Sequence, residues 1–377
     1  MSSHGRAWGW AAALRDGATI SWQEWLARDE QAEPFAANLP GAQQLALLRR
    51  LNLTGPVPAA TAGRVLAASV SGRGRGELGL LGDEDAGRFG PRPVDPDSLD
   101  ADELLRVAAP LIADDVAAAA RPEPESTLID RARRRHRPWE QDFRIVGVPW
   151  RAQAAEAGLV AQGRRPGGRR PTAYLLADGL ATVLAHAWTA RAFDQGGPTW
   201  SEFLANAAIG GQLPPRADLA RMARAATNRY GVGQVVLVLE TAELARVLGL
   251  PSLPEPAPLG AHAVDLVRRV GQPLGVLVDK ADRPRILQQA LLPRLAGAGG
   301  PLPTVPARWQ PWLSTHAERT RHDLAAAGYP VLGNLDRLVP DPAPAQPVVP
   351  DAAEVLALAT GLLIDPVTAR DKEVQEQ

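Results

Sequence analysis

The chain has 377 residues, a net charge of −1, 45% hydrophobic residues and no cysteine. This length allows two or three domains with hydrophobic cores. The lack of cysteine excludes disulfides, thiolate metal sites and a cysteine nucleophile, and the near-zero charge gives no global attraction to nucleic acid. Arg6 and Arg15 interrupt the N-terminal apolar residues, and no apolar run approaches the ~20 residues of a membrane span. We therefore expect a cytoplasmic protein with no membrane partner.

Residues 1–120 have the patterns of a mostly helical region. Ser21 and Glu24 have the spacing of a capping box, in which each side chain bonds to the other residue's backbone N–H. Leucines at helical spacing predict a helix over 42–52, and an acidic first turn begins a second one over 98–120. The intervening Gly- and Pro-rich segment, 71–98, is predicted to be loop.

The hydrophobic period changes at Phe143. Residues 121–142 are interpreted as a basic linker, 143–366 as an α/β domain and 367–377 as a flexible tail. Short apolar runs then alternate with helical patterns, which predicts a three-layer α/β domain with a mainly parallel, five-stranded sheet. The five predicted strands are RIVGV, TAYLLA, QVVLVLE, PLGVLVD and PVLGN.

Three sequence patterns occur twice in the same order. The most specific of them pairs two tryptophans with a following glutamate, at Trp10, Trp22 and Glu24 and again at Trp188, Trp200 and Glu202. One hypothesis is an internal repeat in which the N-terminal region is a truncated copy of the second half. The alternative is that amphipathic helices in an Ala/Leu/Arg-rich chain look alike. The other two patterns cover 39–50 against 213–224 and 103–111 against 354–362.

The turn after the first strand of the α/β domain is the main candidate site. A strand-to-helix turn holds phosphates when small residues let backbone N–H groups close on the anion. Gly147 and Pro149 suit such a turn, and Arg151 could meet an anion at the helix start. Trp150 is not one of the usual small hydroxyl residues. The alternative is an ordinary turn with this ring packed against the sheet edge.

Several segments in order resemble the sulfotransferases that use 3′-phosphoadenosine-5′-phosphosulfate (PAPS), especially the actinobacterial type. The family's loop reads G-x-P-[RK]-[ST]-G-T-T and is followed by a strand that ends near an arginine and a helix that ends in tryptophan. A T-x-x-E-F-L helix, a W-G-x-x-x-V-H-V-V strand and a final G-Y-x-V-x-G-D-L-D segment come next. Here the counterparts are IVGVPWRAQA, LLADGLATVLAHAW, TWSEFLA, YGVGQVVLVLE and GYPVLGNLDRLVPDP. The resemblance implies a P-loop-like α/β fold. It also places Asp178 where the family has a phosphate-binding arginine, and only Arg151 is cationic in the loop, so the resemblance predicts a degenerate cofactor site.

Two arginine runs suggest a different kind of site. One is Arg131–Arg137 before the first strand, and the other comprises Arg164, Arg165, Arg169 and Arg170 before the second. They could bind a polyanion, or they could be solvated linker residues. Among the six histidines, His186 follows the second strand and could face a cleft, although a core or surface position is the simpler reading.

These observations leave three hypotheses of function. The first is a sulfotransferase-like pseudoenzyme that binds no cofactor and serves as a binding or scaffold protein for a protein partner. The second is an active transferase that uses PAPS at an anion site rebuilt around Gly147 and Arg151. The third is a polyanion-binding module built on the two arginine runs, with nucleic acid as one possible ligand. The sequence contains no complete catalytic constellation and predicts no metal site.

Overall fold

The computed structural model describes residues 3–28, 30–36, 38–70, 76–81, 91–120, 143–164, 166–167, 171–340 and 346–365. The chain forms two compact units that interleave along the sequence. The first unit comprises 1–121, 262–298 and 350–377, and the second comprises 122–261 and 299–349. The sequence suggested consecutive domains instead. Within the described residues, no helix is long and apolar enough to cross a membrane.

The first unit is mainly helical. Its long helix Ala101–Ala118 (α5) is contacted by Ala42–Thr54 (α3) and by Ala352–Ile364 (α15), which explains why this late helix belongs to the unit. Its helices are α1 (Ser3–Arg15), α2 (Trp22–Leu26), α3 (Ala42–Thr54), α4 (Ala59–Leu66), α5 (Ala101–Ala118), α11 (Ala261–Leu277, after its first residue), α12 (Arg283–Ile286), the π-helical turn Leu287–Leu291, α13 (Leu292–Leu295) and α15 (Ala352–Ile364).

The first unit also contains a two-stranded parallel sheet that the sequence did not predict. Strand β1 (Leu78–Leu80) pairs with β2 (Arg92–Val94), and a 3₁₀ turn, Pro96–Ser98, follows. The prediction of loop over 71–98 is therefore wrong for these residues. Gly and Pro are compatible with strands of only three residues at a sheet edge, where few ladder bonds are required.

The second unit is an α/β unit with one parallel sheet. Its strands are β3 (Phe143–Gly147), β4 (Thr172–Leu176), β5 (Val235–Val238) and β6 (Val331–Leu332), arranged in sequence order. Its helices are α6 (Pro149–Ala161), α7 (Leu180–Gln195), α8 (Trp200–Ile209), α9 (Leu219–Tyr230), α10 (Thr241–Val247) and α14 (Gln310–Ala326), with 3₁₀ turns Ala307–Trp309 and Leu335–Leu338.

Both faces of this sheet are buried. On one face, Phe143 and Ile145 of β3 pack with residues of α6 and α10 in one apolar cluster. The alternate strand residues Ala173, Leu175 and Leu237 are also fully buried, and α9 contacts β3, β4 and β5. Since successive strand residues point to opposite faces, we infer that α9 covers the second face. Continuous apolar strands are typical of parallel sheets covered in this way.

The predicted five-stranded sheet is wrong by one strand, and the described residues form four. The run PLGVLVD begins at Pro273 and lies largely in α11. Buried side chains at Val267, Val270 and Leu274 continue the helical period of the preceding residues. Val276 is 88% exposed, which a strand buried on both faces would not allow. The short apolar run is therefore the end of an amphipathic helix.

In the first unit, the predicted capping box is present at the start of α2. The backbone N–H of Glu24 donates to the Ser21 hydroxyl, and the Glu24 carboxylate accepts from the backbone N–H of Ser21 at 3.0 Å. The Trp10 indole N–H donates to the carbonyl of Ile20 at 3.1 Å, and its ring lies 5.2 Å from that of Trp22. These bonds fix the path of the chain between α1 and α2.

In the second unit, the start of α8 has the same local arrangement. Thr199 and Glu202 form a capping box, and the Trp188 indole N–H donates to the carbonyl of Pro198 at 3.0 Å. The Trp188 and Trp200 rings are 5.5 Å apart. In both places the tryptophan bonds the carbonyl ten residues later, immediately before the capping residue. The next pair of matched helices begins at different distances from the preceding Leu-Pro pair. Helix α3 begins two residues after its pair, and α9 begins five residues after its own.

Candidate functional site at the carboxyl edge of the sheet

The turn after β3 has the predicted strand-to-helix form, but its glycine serves the sheet. Gly147 has φ +116°, and a Cβ there would lie 2.3 Å from the carbonyl oxygen of Leu176. Only glycine fits, because β4 approaches this backbone closely. Helix α6 then begins at Pro149, whose fixed φ suits the first helical position. The close approach that a phosphate loop would use for an anion is used here for the neighbouring strand.

Trp150 is a packing residue in the second unit. Its side chain is 7% exposed, and its ring stacks on Phe193 of α7 with centroids 4.7 Å apart. This contact joins the start of α6 to α7 through two large rings, an arrangement worth about 1 kcal/mol beyond area burial. The ring therefore occupies the position near the helix start where a phosphate loop would have a small hydroxyl side chain.

Arg151 and Asp178 bind each other. An Arg151 Nη1–H donates to Asp178 Oδ2 at 2.6 Å, and the other Asp178 oxygen accepts from the backbone N–H of Gly179 at 2.7 Å. Arg151 also lies 3.6 Å from Glu255. The arginine is only 15% exposed, so this ion pair is largely shielded from water. The sequence treated Arg151 as a cation available to an anion, and the structure shows it neutralised.

A cavity of about 300 Å³ lies beside this ion pair. Trp150, Arg151, Asp178, His186 and Thr189 line it, together with residues from 255–259 and 300–302. It lies where α6 and α7 begin, which in parallel sheets is the edge that holds ligands. One guanidinium faces two carboxylates, those of Asp178 and Glu255, so the charged groups of the lining sum to about −1 when His186 is neutral.

His186 is held neutral at physiological pH. Burial, and after it the positive charge of Arg151, lower its pKa, Asp178 partly opposes both effects, and the net pKa is about 4. Its Nδ1 atom is buried and has no hydrogen-bond partner in the part of the chain that the structure describes. The prediction that this histidine could face a cleft agrees with its place in the cavity wall. A neutral imidazole there can accept or donate one hydrogen bond but contributes no charge.

A second arginine–carboxylate pair lies at the same edge of the sheet. Glu240 lies two residues after the end of β5 and pairs with Arg337 from the turn after β6. The Arg337 carbonyl lies near Gly179, since a Cβ on that glycine would be 3.3 Å from it. The loops after β4 and β5 thus each carry a carboxylate that an arginine neutralises. This arrangement provides no concentration of positive charge for a phosphate.

Of the two arginine runs, only Arg164 lies within the described residues. Arg164 is half-buried, with its guanidinium near Gly249. Arg165, Arg169, Arg170 and the run Arg131–Arg137 lie outside the described residues. Elsewhere in the described chain, no group of three His, Asp or Glu side chains could hold a metal ion.

Sequence reasoning missed the contribution of Glu255. This residue lies in the Pro-rich segment PSLPEPAPL, and nothing in its local pattern distinguishes it from a solvated loop acid. It reaches Arg151 because the segment passes the start of α6, a long-range feature. Comparison of the chain with protein-family models, curated proteins and solved structures finds no significant match.

Proposed function

We propose that the chain is a sulfotransferase-like binding or scaffold protein that binds no PAPS and performs no group transfer. The observation that carries this proposal is the 2.6 Å ion pair between Arg151 and Asp178 at the turn after β3. The only cation in the loop is committed to a carboxylate of the same protein. A phosphate would have to displace that carboxylate or share the arginine with it.

The electrostatic cost supports this proposal. A phosphate oxygen placed within ~5 Å of the Asp178 carboxylate experiences a repulsion of about 3 kcal/mol at the effective dielectric constant of a protein surface. Arg151 attracts the phosphate, but its single positive charge is already balanced by Asp178, and Glu255 adds a second negative charge. Each 1.4 kcal/mol weakens binding about tenfold, so the cavity disfavours a nucleotide phosphate strongly.

The order of elements supports the family part of the proposal. A strand, a turn, a helix, a second strand and a long helix that contains Trp188 and ends at Gln195 occur in the order of the resemblance, and the TWSEFLA segment starts its own helix. The four-stranded sheet departs from the five strands expected. The sulfotransferase-like part of the proposal therefore rests on the order of elements in the second unit.

We also infer that the two tryptophan-and-cap arrangements are copies of one packing unit. The indole-to-carbonyl bond across ten residues, the neighbouring tryptophan ring and the capping box recur together, and these features are chemically independent of one another. Their joint occurrence supports a duplication more strongly than the matched letters do. The different starts of α3 and α9 limit any duplicated unit to the helix pair before them.

Calorimetric titration with adenosine 3′,5′-bisphosphate, the product nucleotide of PAPS reactions, tests the proposed loss of the cofactor. We expect no measurable heat and no thermal stabilisation at ligand concentrations up to about 1 mM. The variant Asp178→Asn frees Arg151 without changing the shape of the side chain, and it should bind the nucleotide better than the natural protein.

Asp194→Asn is the matched control, because Asp194 pairs with Arg216 in the same unit but does not line the cavity. It should leave nucleotide binding unchanged. Sub-millimolar binding to the natural protein would refute the pseudoenzyme proposal and favour an active transferase built around Gly147 and Arg151.

A further inference from the structure

The first strand of the parallel sheet has an open edge. β3 pairs with β4 on one side, and among the described residues no strand pairs with its other side. The carbonyl of Phe143 accepts a hydrogen bond from the N–H of Gly167 at 2.9 Å, so the backbone groups of this residue point away from β4. Alternate residues of a strand direct their N–H and C=O to the same side. The N–H and C=O of Ile145 and the N–H of Gly147 therefore point outward, and no strand in the described part of the chain pairs with them.

A groove of about 790 Å³ runs along this open edge. Its floor is formed by Ile145, Val146 and Gly147, and its walls are α6 and α9. The wall formed by α6 extends from Pro149 to Val160, and at the rise of an α-helix these residues span about 16 Å. About five residues of extended chain have the same length. The groove thus has the length and the floor of a site for one β-strand.

The walls favour large apolar side chains in the occupant. Ala157 and Ala225 face the groove from opposite helices and are exposed, and Val160 is 51% exposed. Small wall residues leave room, and a strand inserted between them would direct successive side chains to the two walls. Most residues of both walls are apolar. An occupant with apolar side chains at successive positions would therefore bury those side chains against both walls, as the strands of this sheet already do.

One cation in the groove is available to the occupant. Arg229 lines the groove, lies over the Tyr230 ring at 5.5 Å, and forms no ion pair with any carboxylate of the described chain. The other charged wall residue, Glu156, is 3.8 Å from Arg144. An occupant with one carboxylate near its end would complement Arg229.

We propose that this groove binds an extended apolar peptide segment of a partner protein, with one acidic side chain, and that the segment adds to β3 as a fifth strand. Backbone bonds to Ile145 and Gly147 provide affinity, and the wall contacts together with Arg229 provide specificity. The inference extends the proposed binding function by naming the partner's chemistry. Its groove shares no lining residue with the 300 Å³ cavity, so either proposal can fail alone.

The shape of the groove excludes a second folded copy of the chain as the occupant. The open edge lies between α6 and α9, so it is recessed behind two helices. The same edge in another copy is recessed in the same way, and two recessed edges cannot approach to the ~4.8 Å that strand pairing requires. A single strand with no helices beside it can enter.

Fluorescence anisotropy with the labelled peptide KKGVVLVE tests the proposal. Its VVLV run is the sequence of β5, which already pairs in this sheet. Helix α9 ends shortly before β5 begins, so Arg229 lies beside the amino ends of the strands, and the C-terminal glutamate of the peptide reaches it when the peptide pairs antiparallel to β3. We expect a Kd of roughly 1–100 μM with the full chain. N-methylation of alternate peptide amides should weaken binding about tenfold, because it removes bonds to the strand edge while retaining the side chains. Replacing the peptide glutamate with glutamine should weaken it about threefold.

The variants Ala157→Arg and Ala225→Arg place long side chains in the groove at exposed positions, and each should weaken binding at least tenfold. Ala325→Arg, at an exposed position on α14 outside the groove, is the matched control and should bind normally. Three outcomes would overturn the proposal. They are no binding at about 200 μM peptide, binding that ignores both N-methylation and the wall variants, and self-association of the chain that Ala157→Arg abolishes.

Discussion

Protonation of His186 should destabilise the second unit as the pH falls. The folded-state pKa is about 4 and the reference value is 6.5, because the ring is buried beside Arg151. Between these values the unfolded chain binds a proton that the folded chain does not. The contribution of neutral His186 to the free energy of unfolding is therefore fully present above about pH 6.5. It declines as the pH falls and stops declining below about pH 4.

The expected loss is large enough to measure. Proton linkage with these two pKa values gives a loss of about 2 kcal/mol at pH 5 relative to pH 8, and about 3 kcal/mol when the loss is complete. Carboxylates also titrate in acid, so the informative quantity is the difference from a variant. His186→Gln keeps a polar, uncharged side chain of similar size and should lose about 2 kcal/mol less stability than the natural protein over this range.

Urea unfolding at pH 7.5 and pH 5.0 provides the measurement, and NMR titration of a ¹³Cε1-histidine-labelled chain reports the folded-state pKa directly. His322→Gln, at an exposed position, is the control and should follow the natural protein. The reasoning fails if His186 titrates near its ordinary pKa, or if His186→Gln has the same pH dependence of stability as the natural protein.

Two further predictions concern the backbone. Gly147→Ala should destabilise the second unit by about 2–4 kcal/mol in urea unfolding, because the new Cβ meets the backbone of β4, whereas Gly163→Ala, at a similarly positive φ in open space, should cost about 1 kcal/mol. Equal costs would show that strain, and not the close approach of β4, makes Gly147 necessary. Ser21→Ala and Thr199→Ala should each cost about 1 kcal/mol and speed amide exchange at the start of their own helices. If neither substitution changes stability or amide exchange, the capping boxes do not stabilise the arrangement that the two helix starts share.

Much of the secondary structure could be predicted because its signals are local. The helix predicted over 98–120 is observed at Ala101–Ala118, and Asp100 caps it by accepting from the backbone N–H of Glu103. The run PLGVLVD was misassigned because a short apolar segment has the same composition in a buried strand and at the end of an amphipathic helix. Only the packing of the residues before it, in α11, decides between the two.

The strand-to-helix turn after β3 could be located from sequence, but the partners of its side chains could not. The strand-to-helix turn identified Gly147 and Arg151, and the resemblance identified Asp178. No pattern showed that this carboxylate and Arg151, 27 positions apart, bind each other, or that Glu255 joins them. The open edge of β3 was equally hidden, because the order of strands in a sheet depends on contacts between distant segments.

Local sequence patterns were sufficient to predict most of the helices, all four strands of the parallel sheet to within two residues, and the position of the turn. These features depend on hydrophobic period, capping residues and glycine, all of which act over a few neighbours. Tertiary structure decided whether Arg151 is free, whether His186 carries a charge, and which strand has an open edge. Those properties depend on burial and on charges brought together from distant parts of the chain, so they exist only once the unit has folded.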